Sequence, residues 1–143
     1  MSVYVVDASV AAKWLFPEPL SDAAARLLSE DNRLLAPDWL VVEVGNVLVK
    51  KVRAGSLELA DAVARSDWSE FFNDLVASPP LVPRAAELAL HHGRSIYDCL
   101  YVALALRENC PMVTADERLY NALQSSEIAN TILSIRQFGR PIT

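Results

Sequence analysis

Short apolar runs alternate with longer segments in which apolar residues recur at helical spacing, and glycine and proline mark the joints between them. Residues 3–6 (VYVV) form a β-branched apolar run that predicts a buried strand. Residues 8–16 predict a helix that stops at Pro17. Ser21 is suited to cap a second helix over 22–30, and 34–36 predicts a brief strand. Asp38 opens a long helix to about Ala54, with Gly55 as its stop signal. Ser56 predicts the start of a further helix running toward Ala77. After Pro79 and Pro80, Leu81 and Val82 suggest a weak strand, and Pro83 fits the first turn of a helix ending near Gly93. Ser95 begins a helix to about Asn109. A strand over 112–115, a helix over 117–123 and a last strand over 131–135 complete the series. Interleaved strands and helices predict an α/β fold with a mainly parallel sheet flanked by helices. No repeat, low-complexity tract or internal linker interrupts the pattern, and the tail 139–143 is expected to be loosely held.

A length of 143 residues suits one domain, 1–143, with enough chain to bury a core. Hydrophobic residues make up 52% and charged residues 22%, which reads as a soluble globular protein. No apolar run approaches the ~20 residues of a membrane span. The start, MSVYVVDASV, lacks a basic leader and enters a strand directly, so the expected location is the cytoplasm. Two cysteines, Cys99 and Cys110, are expected to be reduced thiols. A net charge of -5 argues against a generally basic nucleic-acid binder but leaves nucleic acid open as a substrate.

Four carboxylates change the picture: Asp7, Glu43, Asp98 and Asp116 each lie within or end a strongly apolar segment. Asp7 and Asp116 follow predicted strands, where open α/β sheets bind ligands; either residue also suits a helix N-cap. Glu43 lies in a helix apolar nearly all round, so it is expected to be buried, in a stripe with Asn46, Lys50 and Arg53 at three- and four-residue steps. A narrow solvated stripe is the plain alternative. Asp98 is the lone charge from 96 to 106, and Ser95-x-x-Asp98 also reads as a capping box. Converging carboxylates ~4 Å apart repel by roughly 4 kcal/mol per pair at an effective dielectric of about 20. Their gathering therefore implies a hard cation, Mg²⁺ or Mn²⁺, which prefers oxygen ligands. Ser9 and Thr114, each two residues from an aspartate, are suited to orient the ligands.

The ordered set Asp7-x-Ser9, Glu43-x-x-Asn46, Tyr97-Asp98 and Thr114-x-Asp116 resembles the PIN-domain ribonucleases, in particular the VapC toxins of toxin–antitoxin pairs. The resemblance spans essentially the whole chain. It implies a three-layer α/β/α sandwich, Mg²⁺- or Mn²⁺-dependent cleavage of RNA, a homodimer, and inhibition by a cognate VapB-type antitoxin. Asp7, Glu43, Asp98 and Asp116 match the family's acidic quartet. Arg118 departs from it, since many relatives carry a further acidic residue there; Glu117 is adjacent but is expected to point elsewhere.

On this basis Asp7, Asp98 and Asp116 are expected to hold the main metal, Glu43 to position water or a second ion, and Asn46 and Ser9 to orient ligands. Lys13, Lys50 and Arg94 are candidates to meet RNA phosphates, against the plainer reading of surface charge. His91 and His92, consecutive near a helix end, are expected to face different directions and complement the helix dipole. Trp14, Trp39 and Trp68 read as packing residues, and an apolar surface around Trp14, Leu15 and Phe16 is a candidate to receive a partner helix. Two other functions compete: a non-catalytic binding module of the same fold, and a phosphatase or phosphoryl-transfer signalling domain. The last is disfavoured because strand one ends in Asp-x-Ser and no lysine follows Lys51.

Overall fold

The computed structural model describes residues 1–64, 71–72 and 74–139. Trp68 and the tail beyond Gly139 lie outside them. Five strands, β1 (Ser2–Val6), β2 (Asn32–Pro37), β3 (Asp74–Val76), β4 (Met112–Thr114) and β5 (Ile132–Ser134), form one sheet in the order β3-β2-β1-β4-β5. Every pairing is parallel, with Val5 opposite Leu35 on one side and Met112 on the other. Parallel strands need crossovers, supplied by α1 (Ala8–Leu15), α2 (Ser21–Arg26), α3 (Trp39–Arg53), α4 (Leu59–Ala64), α5 (Val82–His92), α6 (Ile96–Arg107) and α7 (Glu117–Gln124). The strand order reverses direction at β1 and β4, so right-handed crossovers put α1 to α4 on one face and α5 to α7 on the other. This is the expected α/β/α arrangement.

Burial explains why the middle of the sheet is so apolar. Val5, Val6, Ala36, Met112 and Val113 are fully buried, as strands covered on both faces require. α6 packs against β1, β2 and β4, and its seven consecutive residues 99–105 are all buried. A helix apolar all round belongs in such a place. α3 differs from expectation. It buries only Leu40, Val44 and Leu48, a stripe at four-residue spacing, and leaves Val41, Val42 and Val49 facing outward.

Three local expectations are corrected. The third strand is not at 81–82, where Pro79–Leu81 forms a 3-10 turn running into α5. It is β3, inside the segment expected to be helical toward Ala77; its register is set by pairing with β2, which no local pattern encodes. Ser21 is the first residue of α2 rather than its cap, and its hydroxyl accepts from Glu18 N and donates to Phe16 O, closing the preceding turn. The Trp14–Phe16 surface is not open: the Trp14 indole donates to Ala24 O at 2.8 Å and packs on Phe71 and Phe72, and Phe16 is buried.

Candidate acidic active site

β1 and β4 are neighbours from which the chain departs in opposite directions, leaving a crevice beyond their carboxyl ends. Asp7 is the first residue past β1. Its amide donates to Val113 O at 3.4 Å, so the backbone there is carried by β4. The side chain is 6% exposed. Oδ1 accepts from Ser9 Oγ at 2.6 Å and Val10 N at 3.2 Å, and Oδ2 accepts from Thr114 Oγ1 at 2.5 Å. Ser9 and Thr114 also bind the other strand end: Ala115 N donates to Ser9 Oγ at 2.9 Å and Asp116 N to Thr114 Oγ1 at 3.0 Å. Two hydroxyls thus lock Asp7 to the segment that carries Asp116. Both aspartates also cap helices, Asp116 through Arg118 N and Leu119 N. The capping reading and the clustering hold together.

Burial raises the Asp7 carboxyl to about 6, against the three hydrogen bonds that favour its charged form, and the charge of Glu43 adds to the rise. Burial likewise raises Glu43, opposed by a hydrogen bond from Tyr101 and reinforced by the charge of Asp98. Asp98 is raised by burial, held back by Arg94 and raised again by Asp116. The four acids therefore form an unbroken series of electrostatic neighbours, Asp7 to Glu43 to Asp98 to Asp116, drawn from four separate elements. Their oxygens do not come within 4.8 Å of one another in threes; among the described residues only His91, His92 and Glu127 do.

Glu43 is half-buried rather than enclosed, because the flank of α3 beside it is open. It lines a cleft of about 480 Å³ with Asn46, Asp98, Ser95, Trp39 and Tyr97. Tyr97 is exposed and stacks on Trp39, ring centroids 5.4 Å apart and 15° from parallel. Of the proposed phosphate-binding cations, Lys13 is tied to Glu18 at 3.3 Å and Pro19 O at 2.8 Å. Arg94 lies 3.6 Å from the Asp98 carboxylate, and Lys50 is exposed in the last turn of α3. Glu117 does point elsewhere, paired with Arg136 at 2.6 Å.

Tyr101 was missed by sequence reasoning. Its hydroxyl donates to Glu43 Oε1 at 2.7 Å, and burial together with the charges of Glu43, Asp7 and Asp98 keeps it protonated. The available signal was a tyrosine three residues past Asp98 in a helix otherwise fit for burial, since a buried phenol needs a partner.

Comparison with known proteins gives a consistent likeness. The PIN domain family matches residues 4–122. Ribonuclease VapC3 of Pyrobaculum aerophilum is 37% identical over 119 residues, covering 80% of this chain and 90% of that protein. Ribonuclease VapC1 of Mycobacterium tuberculosis is 33% identical over 121 residues, covering 83% and 90%. The crystal structure of PAE2754 from Pyrobaculum aerophilum superposes with a TM-score of 0.70 at 23% identity, over 95% of this chain and 91% of that one, and shares the fold.

Proposed function

The chain belongs to the PIN-domain family, with VapC ribonucleases among its relatives, and from that premise we propose that it is a divalent-metal-dependent endoribonuclease of the VapC type. The observation that carries the reading is the series of four carboxylates, each an electrostatic neighbour of the next, that starts from a buried Asp7 at the sheet's switch point. Such a set is costly without a cation, and its all-oxygen donors fit Mg²⁺ or Mn²⁺. PIN-domain nucleases usually use a divalent metal. Asp7, Asp98 and Asp116 would hold it, with Glu43 beside them. The chemistry supplied by such an ion is neutralisation of charge on the phosphate and activation of a water for phosphodiester hydrolysis.

The chain's own groups prepare that chemistry by holding still. Ser9 and Thr114 fix both oxygens of Asp7, and backbone amides fix Asp116. Tyr101 orients Glu43 by donating to Oε1, leaving Oε2 for water or a second ion. The open cleft beside Asn46 gives a single RNA strand a path to the carboxylates of Glu43 and Asp98. Arg94 offsets charge at Asp98 and is a candidate, with Lys50, to meet RNA phosphates.

The resemblance to VapC toxins further implies a cognate antitoxin, a homodimer and a cytoplasmic setting. Support for a protein partner comes from an apolar depression of about 360 Å³ between α3 and α4, lined by Leu48, Val49, Val52, Leu59 and Val63 among others. No described helix is long and apolar enough to cross a membrane.

Purified protein incubated with total RNA is expected to cleave it with Mn²⁺ or Mg²⁺ and to stop with EDTA, and Asp98→Asn should lose the activity. Full metal-dependent cleavage by Asp98→Asn would refute the assignment. The capping roles of Asp7 and Asp116 favour a second reading, a non-catalytic module; under it, Mn²⁺ would give the same thermal shift in wild type and Asp7→Ala.

A further inference from the structure

The two histidines that close α5 do not face apart. Their rings meet edge to face with centroids 4.6 Å apart. Both Nε2 atoms turn to one carboxylate oxygen, Glu127 Oε1, at 3.5 Å from His91 and 3.7 Å from His92. Consecutive helical residues start about 100° apart, but at the last turn no further helix separates them, and both reach the α7–β5 connection that carries Glu127. The His92 side chain is only 7% exposed, and its Nε2 is buried with no hydrogen-bond partner. An unpaired buried nitrogen of this kind is costly and calls for a partner.

The spacing points to the kind of partner. Separations of 3.5 and 3.7 Å are too long for good direct hydrogen bonds. They are close to the roughly 3.3–3.5 Å ligand–ligand edge of a tetrahedron built on metal bonds of about 2.0–2.1 Å. The carbonyls ending α5 add negative partial charge, which favours a cation. From this geometry we infer that His91, His92 and Glu127 form a second metal site, specific for a borderline transition-metal ion of the Zn²⁺ class. Its donors differ from the acidic quartet: imidazole selects Zn²⁺, Co²⁺, Ni²⁺ or Cu²⁺, whereas carboxylate oxygens alone suit Mg²⁺ and Mn²⁺. Two imidazoles and one carboxylate leave the fourth position to water. Binding clips the end of α5 to the connection leading into β5.

The chain has two histidines, so imidazole NMR signals report on this site alone. Protein without an affinity tag, stripped with EDTA, is titrated with Zn²⁺. Both imidazoles should shift and saturate together at one equivalent, in wild type and in Asp98→Asn alike. Mg²⁺ should move neither. Co²⁺ should give the visible absorption of a tetrahedral site, displaced by Zn²⁺ and lost in His91→Ala and in Glu127→Gln, two exposed positions whose replacement leaves the core intact. Circular dichroism checks that these variants are folded. Imidazole signals unmoved by Zn²⁺, or a Co²⁺ spectrum that survives both substitutions, would overturn the site.

Discussion

Asp7 is a carboxylate held where charge is costly, and its hydrogen bonds only partly offset that cost. Because its folded value, about 6, lies above the ordinary 3.8, the folded state takes up a proton more readily than the unfolded chain between those limits. The associated stability is fully present below pH 4 and is lost as pH rises through 6, a difference on the order of 3 kcal/mol. Glu43 and Asp98, both raised, act in the same direction. Metal-free protein should therefore show a lower urea midpoint at pH 7.5 than at pH 5. Asp7→Asn should flatten that slope and stabilise the metal-free fold at pH 7.5 by roughly 1–3 kcal/mol while abolishing cleavage. A slope unchanged in Asp7→Asn would show that the carboxyl is not the source.

At the scale of elements, α6 was legible because one charge in an otherwise apolar helix has few explanations, and the structure sets it at the helix's first turn as Ser95-x-x-Asp98 suggests. Asp7 and Asp116 were legible as strand-end acids for the same reason. What could not be read was exposure and long-range pairing. An apolar α3 looks the same in sequence whether its outer valines are covered or bare, and a three-residue β3 has no period to detect. Tyr101 shows the same limit: its importance depends on Glu43, 58 positions away. Tyr101→Phe leaves a half-buried carboxylate without its donor and should cost about 1–2 kcal/mol. Glu43 should then bind protons more tightly, so the acid limb of the pH–cleavage profile should move to higher pH. A profile that falls in height without moving would assign Tyr101 a packing role alone.

At the scale of the whole molecule, the strand order matters more than any one residue. The reversal at β1 and β4 makes neighbours of the strand ends that carry Asp7 and Asp116, and α3 and α6 bring Glu43 and Asp98 within electrostatic reach of them. A cation that relieves their repulsion binds the folded state alone, so Mn²⁺ at about 100 times its Kd should add ~2.7 kcal/mol. The gain should appear as a higher Tm, reverse with EDTA, and largely vanish in an Asp7→Ala protein. An equal rise in that variant would place the binding elsewhere.

The sheet's two borders, β3 and β5, are three residues long each, and Arg33 on the neighbouring strand pairs with Asp74 at the start of β3. Rims so short and so guarded offer an incoming extended peptide few amides and carbonyls to zip onto. Among the described residues, what this protein presents to a neighbour is instead helix surface, with Val41, Val42 and Val49 of α3 bare, so that recognition there would be a matter of shape and greasy surface, open to retuning one residue at a time.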